Sequence, residues 1–322
     1  MDKTKVKDAF ENLGTKQTKI GGQAVIEGVM MRGNHMYAMA VRKPDSTLEI
    51  LKKDLKPASD KHPFLRLPVF RGIVAFIDSL VLGMKIITDS AELAVEGIEE
   101  EGEPSKFEKF LEKTFGDKMN DVLIYASVAV AMVLAVLLFM LLPVGIGHLF
   151  TPLLGGRTWA LGIIEGLARI GIFLCYVSIV SMSKDIKRVF QYHGAEHKTI
   201  NCFEHQEPLE VENVRKYTRL HKRCGTSFLL IVMIMAMLVF MFVRTDVIWL
   251  RLVSRLILIP IIAGLSYEVI KWAGRNDNAL VNAISFPGLC LQKITTAEPD
   301  DSMIESAIAA MKGVLESEPG EH

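Results

Sequence analysis

The chain has 322 residues, carries 37 lysines and arginines against 37 aspartates and glutamates, and is half apolar. A net charge of zero without a basic footprint argues against a nucleic-acid binder. The charge is unevenly spread: residues 1–66 and 95–121 are rich in Lys, Glu and Asp, whereas Val122–Leu142 runs 21 residues without one charge, enough helix to cross a hydrocarbon core of about 30 Å.

Residues 1–19 are polar and lysine-rich, with no apolar stretch and no small-residue cleavage site, which predicts a start retained in the cytosol rather than a signal peptide. The run Gly21 to Gly33 is apolar and punctuated by glycines, as in a short strand with a bulge or tight turn at Gly28. Tyr37 to Arg42 and Thr47 to Leu51 flank the turn sequence Lys43-Pro-Asp-Ser46, so region 1–66 is expected to hold a small β element. In 67–95, Arg71, Asp78, Lys85 and Glu92 recur every seven residues and return charge to one helical face. That pattern predicts an amphipathic helix lying in the interface or docked on the bundle rather than a span. Residues 96–121 read as an acidic connector with a short helical patch around Phe107, Phe110 and Leu111.

Residues 122–272 are expected to form four spans: Val122–Leu142 stopped by Pro143 and Gly145, Trp159–Met182, Ser227–Val243, and Trp249–Trp272 with a kink at Pro260. The loop 184–226 holds nine lysines and arginines, far more than the connections on the other side, so the loop and both termini are expected to be cytosolic. In the tail, 273–322, a polar segment leads to an amphipathic helix from about Ser302 to Ser317, with Ser302 and Glu305 at capping-box spacing and Ile304, Ile308, Met311 and Leu315 on one face. The expected fold is a mainly α polytopic membrane protein: four transmembrane helices, amphipathic helices and a small N-terminal β element. The four cysteines, Cys175, Cys202, Cys224 and Cys290, are too scattered for a disulfide framework and read as reduced.

One segment concentrates chemistry. If the helix continues through Tyr192-His-Gly-Ala-Glu-His-Lys198, His193 and His197 lie one turn apart on one face, where two imidazoles can hold a metal ion. Glu196 projects beside them, in the His-x-x-Glu-His order of the inverted zinc peptidases, whose carboxylate serves as general base. The competing reading is a polar helix next to the membrane. Glu268 is the expected third ligand, unless it pairs with Lys271 or Arg275. Further candidate ligands are Glu204, His205, His221 and Cys224; the last two, with both histidines, can instead close a structural site with no open position. Glu27 and His35, in or next to the glycine-rich run, are candidate substrate contacts. In span two, Glu165 and Arg169 are spaced to neutralise each other.

Gly22-Gln-Ala-Val-Ile-Glu-Gly-Val-Met-Met-Arg32, the His193 segment, Arg223-Cys-Gly-Thr-Ser227, Ser266-Tyr-Glu268 and Thr295-Thr-Ala-Glu-Pro-Asp300 together resemble the YqhQ-like bacterial membrane family, also called domain of unknown function 1385. The resemblance covers roughly residues 20–318. It implies a membrane location and a metal-dependent enzyme, an expectation resting on the same histidines.

The leading expectation is a metal-dependent hydrolase, peptidase-like, at the cytosolic membrane face: His193, His197 and Glu268 hold zinc, Glu196 is the base, and a protein or peptide is the substrate. The lipid bilayer is the expected surrounding, with oligomerisation open. The alternatives are a non-enzymatic membrane scaffold, in which the cluster ties the loop to the bundle, and a small-solute transporter, which four spans without a repeat argue against unless the protein oligomerises.

Overall fold

The computed structural model describes residues 18–55, 67–96, 119–155, 157–242, 247–273 and 278–317. The helical patch expected around Phe107 lies outside these residues. The chain divides into two compact units, one made of 1–96, 174–236 and 255–322, the other of 97–173 and 237–254.

In the first unit, strands β1 (Gly21–Val25), β2 (Gly28–Arg32), β3 (Met36–Arg42) and β4 (Leu48–Asp54) form one antiparallel sheet in sequence order. The expected turn at Gly28 falls two residues earlier, at Ile26 and Glu27, where Glu27 takes the left-handed conformation. Gly28 instead begins β2, because a Cβ there would meet the Ala40 carbonyl at 2.3 Å. Strand alternation sends residues to opposite faces, and here both faces are covered. Val29, Met31, Ala38 and Ala40 pack against α5 (Lys184–Glu204) and α10 (Asp301–Ser317); Val25, Met30, Tyr37, Met39 and Val41 pack against α1 (Phe70–Val95). This covering explains why β1 to β3 read as nearly continuous apolar runs.

Helix α1 runs unbroken through the segment where an amphipathic helix is expected. Ile86 enters the sheet core and Ser90 Oγ accepts from the Ile26 N–H at 3.3 Å, while Ile77, Leu80, Val81 and Met84 form an exposed stripe. Its N-terminal half meets α8 (Ile248–Ala273) through glycines: a Cβ on Gly72 would lie 2.8 Å from the Gly264 carbonyl. Helix α10 buries Met303, Ile304, Ala307, Ile308, Ala310, Met311 and Val314, a wider face than the four residues expected. Its cap is Asp300, whose Oδ1 accepts from the Met303 N–H at 3.0 Å, so Ser302 lies inside the helix and Glu305 pairs with Arg42. A 17-residue helix, α9 (Ala279–Thr295), occupies what reads as a polar segment; it is capped by Asn278 and contains Pro287. Its buried face is built partly from Ser285, Gly288 and Gln292, which hydropathy does not register as a stripe.

In the second unit, α2 (Met119–Val136) does not stop at Pro143. A π-turn at Leu137–Leu141 leads into α3 (Leu142–Phe150), whose first turn accepts the proline. Gly147 lets α3 close on Glu165 of α4 (Thr158–Val180): a Cβ would come 2.5 Å from Glu165 Cγ. Arg169, also on α4, donates to the Phe139 carbonyl at 2.9 Å.

Among the described residues, three helical stretches are long and apolar enough to cross a membrane: Ala126–Leu154, Trp159–Val180 and Val253–Ala273. The stretch expected as the third of four spans is α7 (Gly225–Phe240), an apolar helix of 16 residues, shorter than the roughly 20 that a full crossing takes.

Candidate metal centre

Helix α5 runs unbroken through the His-Gly-Ala-Glu-His segment, and residues 192–202 are all buried. The expected one-turn spacing of His193 and His197 is realised: their rings meet edge to face, with centroids 4.4 Å apart. Each imidazole is pinned by a backbone carbonyl. Because a carbonyl can only accept, His193 Nδ1 donates to Thr295 at 2.8 Å and His197 Nδ1 to Arg219 at 2.6 Å, which leaves Nε2 of each ring as the ligand atom.

The third corner is Cys224. Ligand atoms of His193, His197 and Cys224 all lie within 4.8 Å of one another, and His193 Nε2 is 3.2 Å from the sulfur. Zinc-like bond lengths set neighbouring donors of a tetrahedral ion about 3.3–3.8 Å apart, so the set fits one ion after small side-chain movements. Cys224 directly precedes α7, and the Thr226 N–H donates to Sγ at 3.4 Å, as suits a thiolate at a helix N-terminus. Burial pushes the Cys224 thiol up, but the His197 and His193 charges bring it well below the usual range. Burial lowers the His193 imidazolium and the adjacent thiolate raises it, with the balance at about 9. The 3.2 Å contact between His193 Nε2 and the sulfur marks the place an ion would take.

Two buried atoms beside the cluster have no hydrogen-bond partner among the described residues: His197 Nε2 and Glu196 Oε2. The Glu196 carboxyl is held above its ordinary range by burial, against the pull of His197 and His193. It sits directly beneath β1, where a Cβ on Gly22 would come 2.6 Å from its Oε1.

The surrounding motifs interlock with this segment. Gly194 is required because a Cβ would lie 2.1 Å from the Ala297 carbonyl, while the Ala297 N–H donates to Phe190 at 2.8 Å. Lys198 pairs with Glu298, and Arg219 donates to the Thr296 carbonyl, so the Thr295-to-Asp300 segment closes over α5. Gln292, fully buried on α9, accepts from the His221 N–H at 2.8 Å and donates to the His221 carbonyl at 2.8 Å and to Ser227 Oγ at 2.9 Å. It fixes both ends of the Cys224 loop without touching the cluster. Gln292→Leu is therefore expected to weaken metal binding by about 10- to 100-fold, as loss of an outer-shell support does; titration with a chromophoric chelator checks this.

The other candidates take different places. Glu268 forms a two-pronged ion pair with Arg71 of α1, at 2.7 and 2.5 Å; Arg71 is a partner that helical spacing along α8 cannot reveal. Glu27 pairs with Arg188 and accepts from the Tyr192 hydroxyl at 3.3 Å. Glu204 accepts from the Thr18 N–H and pairs with Arg223. His221, whose ring centroid is 5.7 Å from that of His197, is driven by burial to about 4, so in its 3.4 Å contact a neutral imidazole donates from Nε2 to Glu204. His205 bonds the Asn201 carbonyl at 2.8 Å and packs on Tyr217, and His35 is exposed in the β2–β3 turn. Sequence spacing does not mark Gln292 or the carbonyls of Thr295 and Arg219 as parts of the site; for Gly22 the adjacent glycine pair is the only local signal.

Residues 67–317 match the family model described as "Protein of unknown function (DUF1385)". The chain is 39% identical over 303 residues to "Uncharacterized protein YqhQ" of Bacillus subtilis (strain 168), a match covering 92% of each chain. No solved structure matches the chain.

Proposed function

The chain belongs to the DUF1385 family, and on that footing we propose that it is a membrane-associated metal-dependent hydrolase, peptidase-like in its chemistry. His193, His197 and Cys224 hold the ion, with zinc preferred by two imidazoles and a thiolate. Three protein ligands leave a position open, the arrangement of a catalytic rather than a closed structural site. When bound, the ion acidifies water and polarises a substrate carbonyl. Glu196 accepts the proton at Oε2 and returns it to the leaving group, a task suited to a buried carboxylate whose affinity for protons is raised. The observation that carries this reading is the unpartnered, buried Glu196 Oε2 beside a three-donor cluster.

We read α7 as a fourth, short crossing, which supports a topology with both termini and the lysine-rich loop 184–226 in the cytosol. Cys224, which directly precedes α7, then sets the cluster at the inner membrane boundary.

Glu196→Gln tests the function. Purified in lipid nanodiscs, the variant is expected to keep one metal ion per chain by elemental analysis and to lose hydrolysis of a peptide pool by at least about a hundredfold, the contribution of a positioned general base. Wild-type protein that binds no metal, or a variant as active as wild type, would sink the reading.

A second reading, a non-enzymatic scaffold, draws on the full burial of His197 and Gln292. There the ion would join α5, α9 and the Cys224 loop, and Glu196→Gln would change stability without any activity to lose.

A further inference from the structure

The site lies beside an unguarded sheet edge. Strand β1 borders the sheet and, among the described residues, pairs only with β2. Val25 and Gly28 flank a two-residue loop, so they exchange hydrogen bonds, as do Gln23 with Met30 and Gly21 with Arg32. The backbone groups of Gly22 and Ala24 therefore point away from β2, toward the open edge, and no hydrogen bond is made to them there among the described residues. Space is present as well: Gly21 and Gly22 are exposed, and a Cβ at Gly21 would meet nothing within 4 Å.

The two edges of the sheet differ in a telling way. Edges that must not pair are blunted by charge or proline. At the far edge β4 reads Leu-Glu-Ile-Leu-Lys-Lys-Asp, whereas β1 reads Gly-Gly-Gln-Ala-Val, with neither charge nor proline. Directly under that bare edge, at Gly22, lies the Glu196 carboxylate with its unpartnered Oε2.

We propose that the free edge of β1 binds an extended polypeptide substrate as an added strand and lays its backbone across the His193–His197–Cys224 centre. This inference rests on the hydrolase reading and deepens it by naming the substrate class. Strand addition supplies affinity through the main chain, through Gly22 and Ala24, and the absent side chains at Gly21 and Gly22 let the scissile carbonyl approach Glu196. The expected substrates are extended, unfolded segments rather than folded domains.

The test uses the full-length protein in nanodiscs loaded with cobalt, whose d–d bands report the centre. The probe is a fluorescent, lysine-flanked Thr/Val decapeptide, compared with the same sequence N-methylated at every amide. The peptide is expected to bind and shift the cobalt bands, and its N-methylated form to bind at least about tenfold more weakly, as befits lost backbone hydrogen bonds. Ala24→Pro removes one edge-facing N–H and leaves the bonds to β2 intact; it is expected to weaken the peptide to a similar degree while retaining one cobalt per chain. If that variant loses cobalt, the N-methylated peptide alone decides. Cobalt bound with bands indifferent to the peptide, or equal affinity for both peptides, overturns the edge proposal and leaves the metal reading standing. A wild-type chain that takes up no cobalt overturns the metal reading itself.

Discussion

Cys224→Ala is expected to reduce affinity for a divalent ion by more than about a hundredfold, since outer-shell changes alone cost 10- to 100-fold and this one removes a ligand. The change takes away the only thiolate in the three-donor set and leaves two imidazoles whose Nδ1 atoms are already committed to the Thr295 and Arg219 carbonyls. His205→Ala is the matched control: a histidine on the same stretch of chain whose ring bonds the Asn201 carbonyl and packs on Tyr217, it is expected to leave metal content unchanged. Competition with a chelator of known affinity reads both, and the thiolate-to-cobalt absorption of the loaded protein adds a signature that only Cys224 can supply. Equal metal content in wild type and Cys224→Ala would remove sulfur from the centre.

The second large effect is structural. Gly194→Val is expected to destabilise the first unit by about 3 kcal/mol or more, at or beyond the usual cost of overpacking a core. Even the Cβ would stand 2.1 Å from the Ala297 carbonyl, and the obstacle is backbone held by the Ala297 N–H bond to Phe190 and the Lys198–Glu298 pair. Gly225→Ala, where a Cβ would meet nothing within 4 Å, is expected to change little. Thermal unfolding of the detergent-solubilised variants separates the two. Gly22→Ala falls between them: its obstacle is the flexible end of Glu196, so it should displace the carboxylate and spare the fold.

These contrasts show where local sequence carries the answer. A helix fixes positions one turn apart by its own geometry, so the His193–His197 pairing follows from spacing alone. The turn chemistry of Lys43 to Ser46 likewise places β3 and β4, and the seven-residue return of charge marks α1 as amphipathic. Elsewhere local reading pointed to the wrong neighbours. Glu268 has Lys271 and Arg275 at helical spacing, yet the arginine that grips it, Arg71, comes from α1, because a glycine on each helix brings the two backbones together. Helix α9 was hidden because its buried face is polar and small, and such a face becomes legible only once His221 and Ser227 are seen to satisfy Gln292.

By itself, the sequence determined the apolar helices long enough to cross a membrane, the small N-terminal β element and the two helical histidines with Glu196 beside them, since hydropathy, alternation and helical pitch act between residues close along the chain. The tertiary structure alone brought Cys224 to the two histidines, gave Glu268 to Arg71, and laid β1 over Glu196 with no strand on its outer edge among the described residues. Those outcomes depend on which carbonyls, glycines and charges meet across long separations, and no pattern of neighbouring residues encodes such meetings.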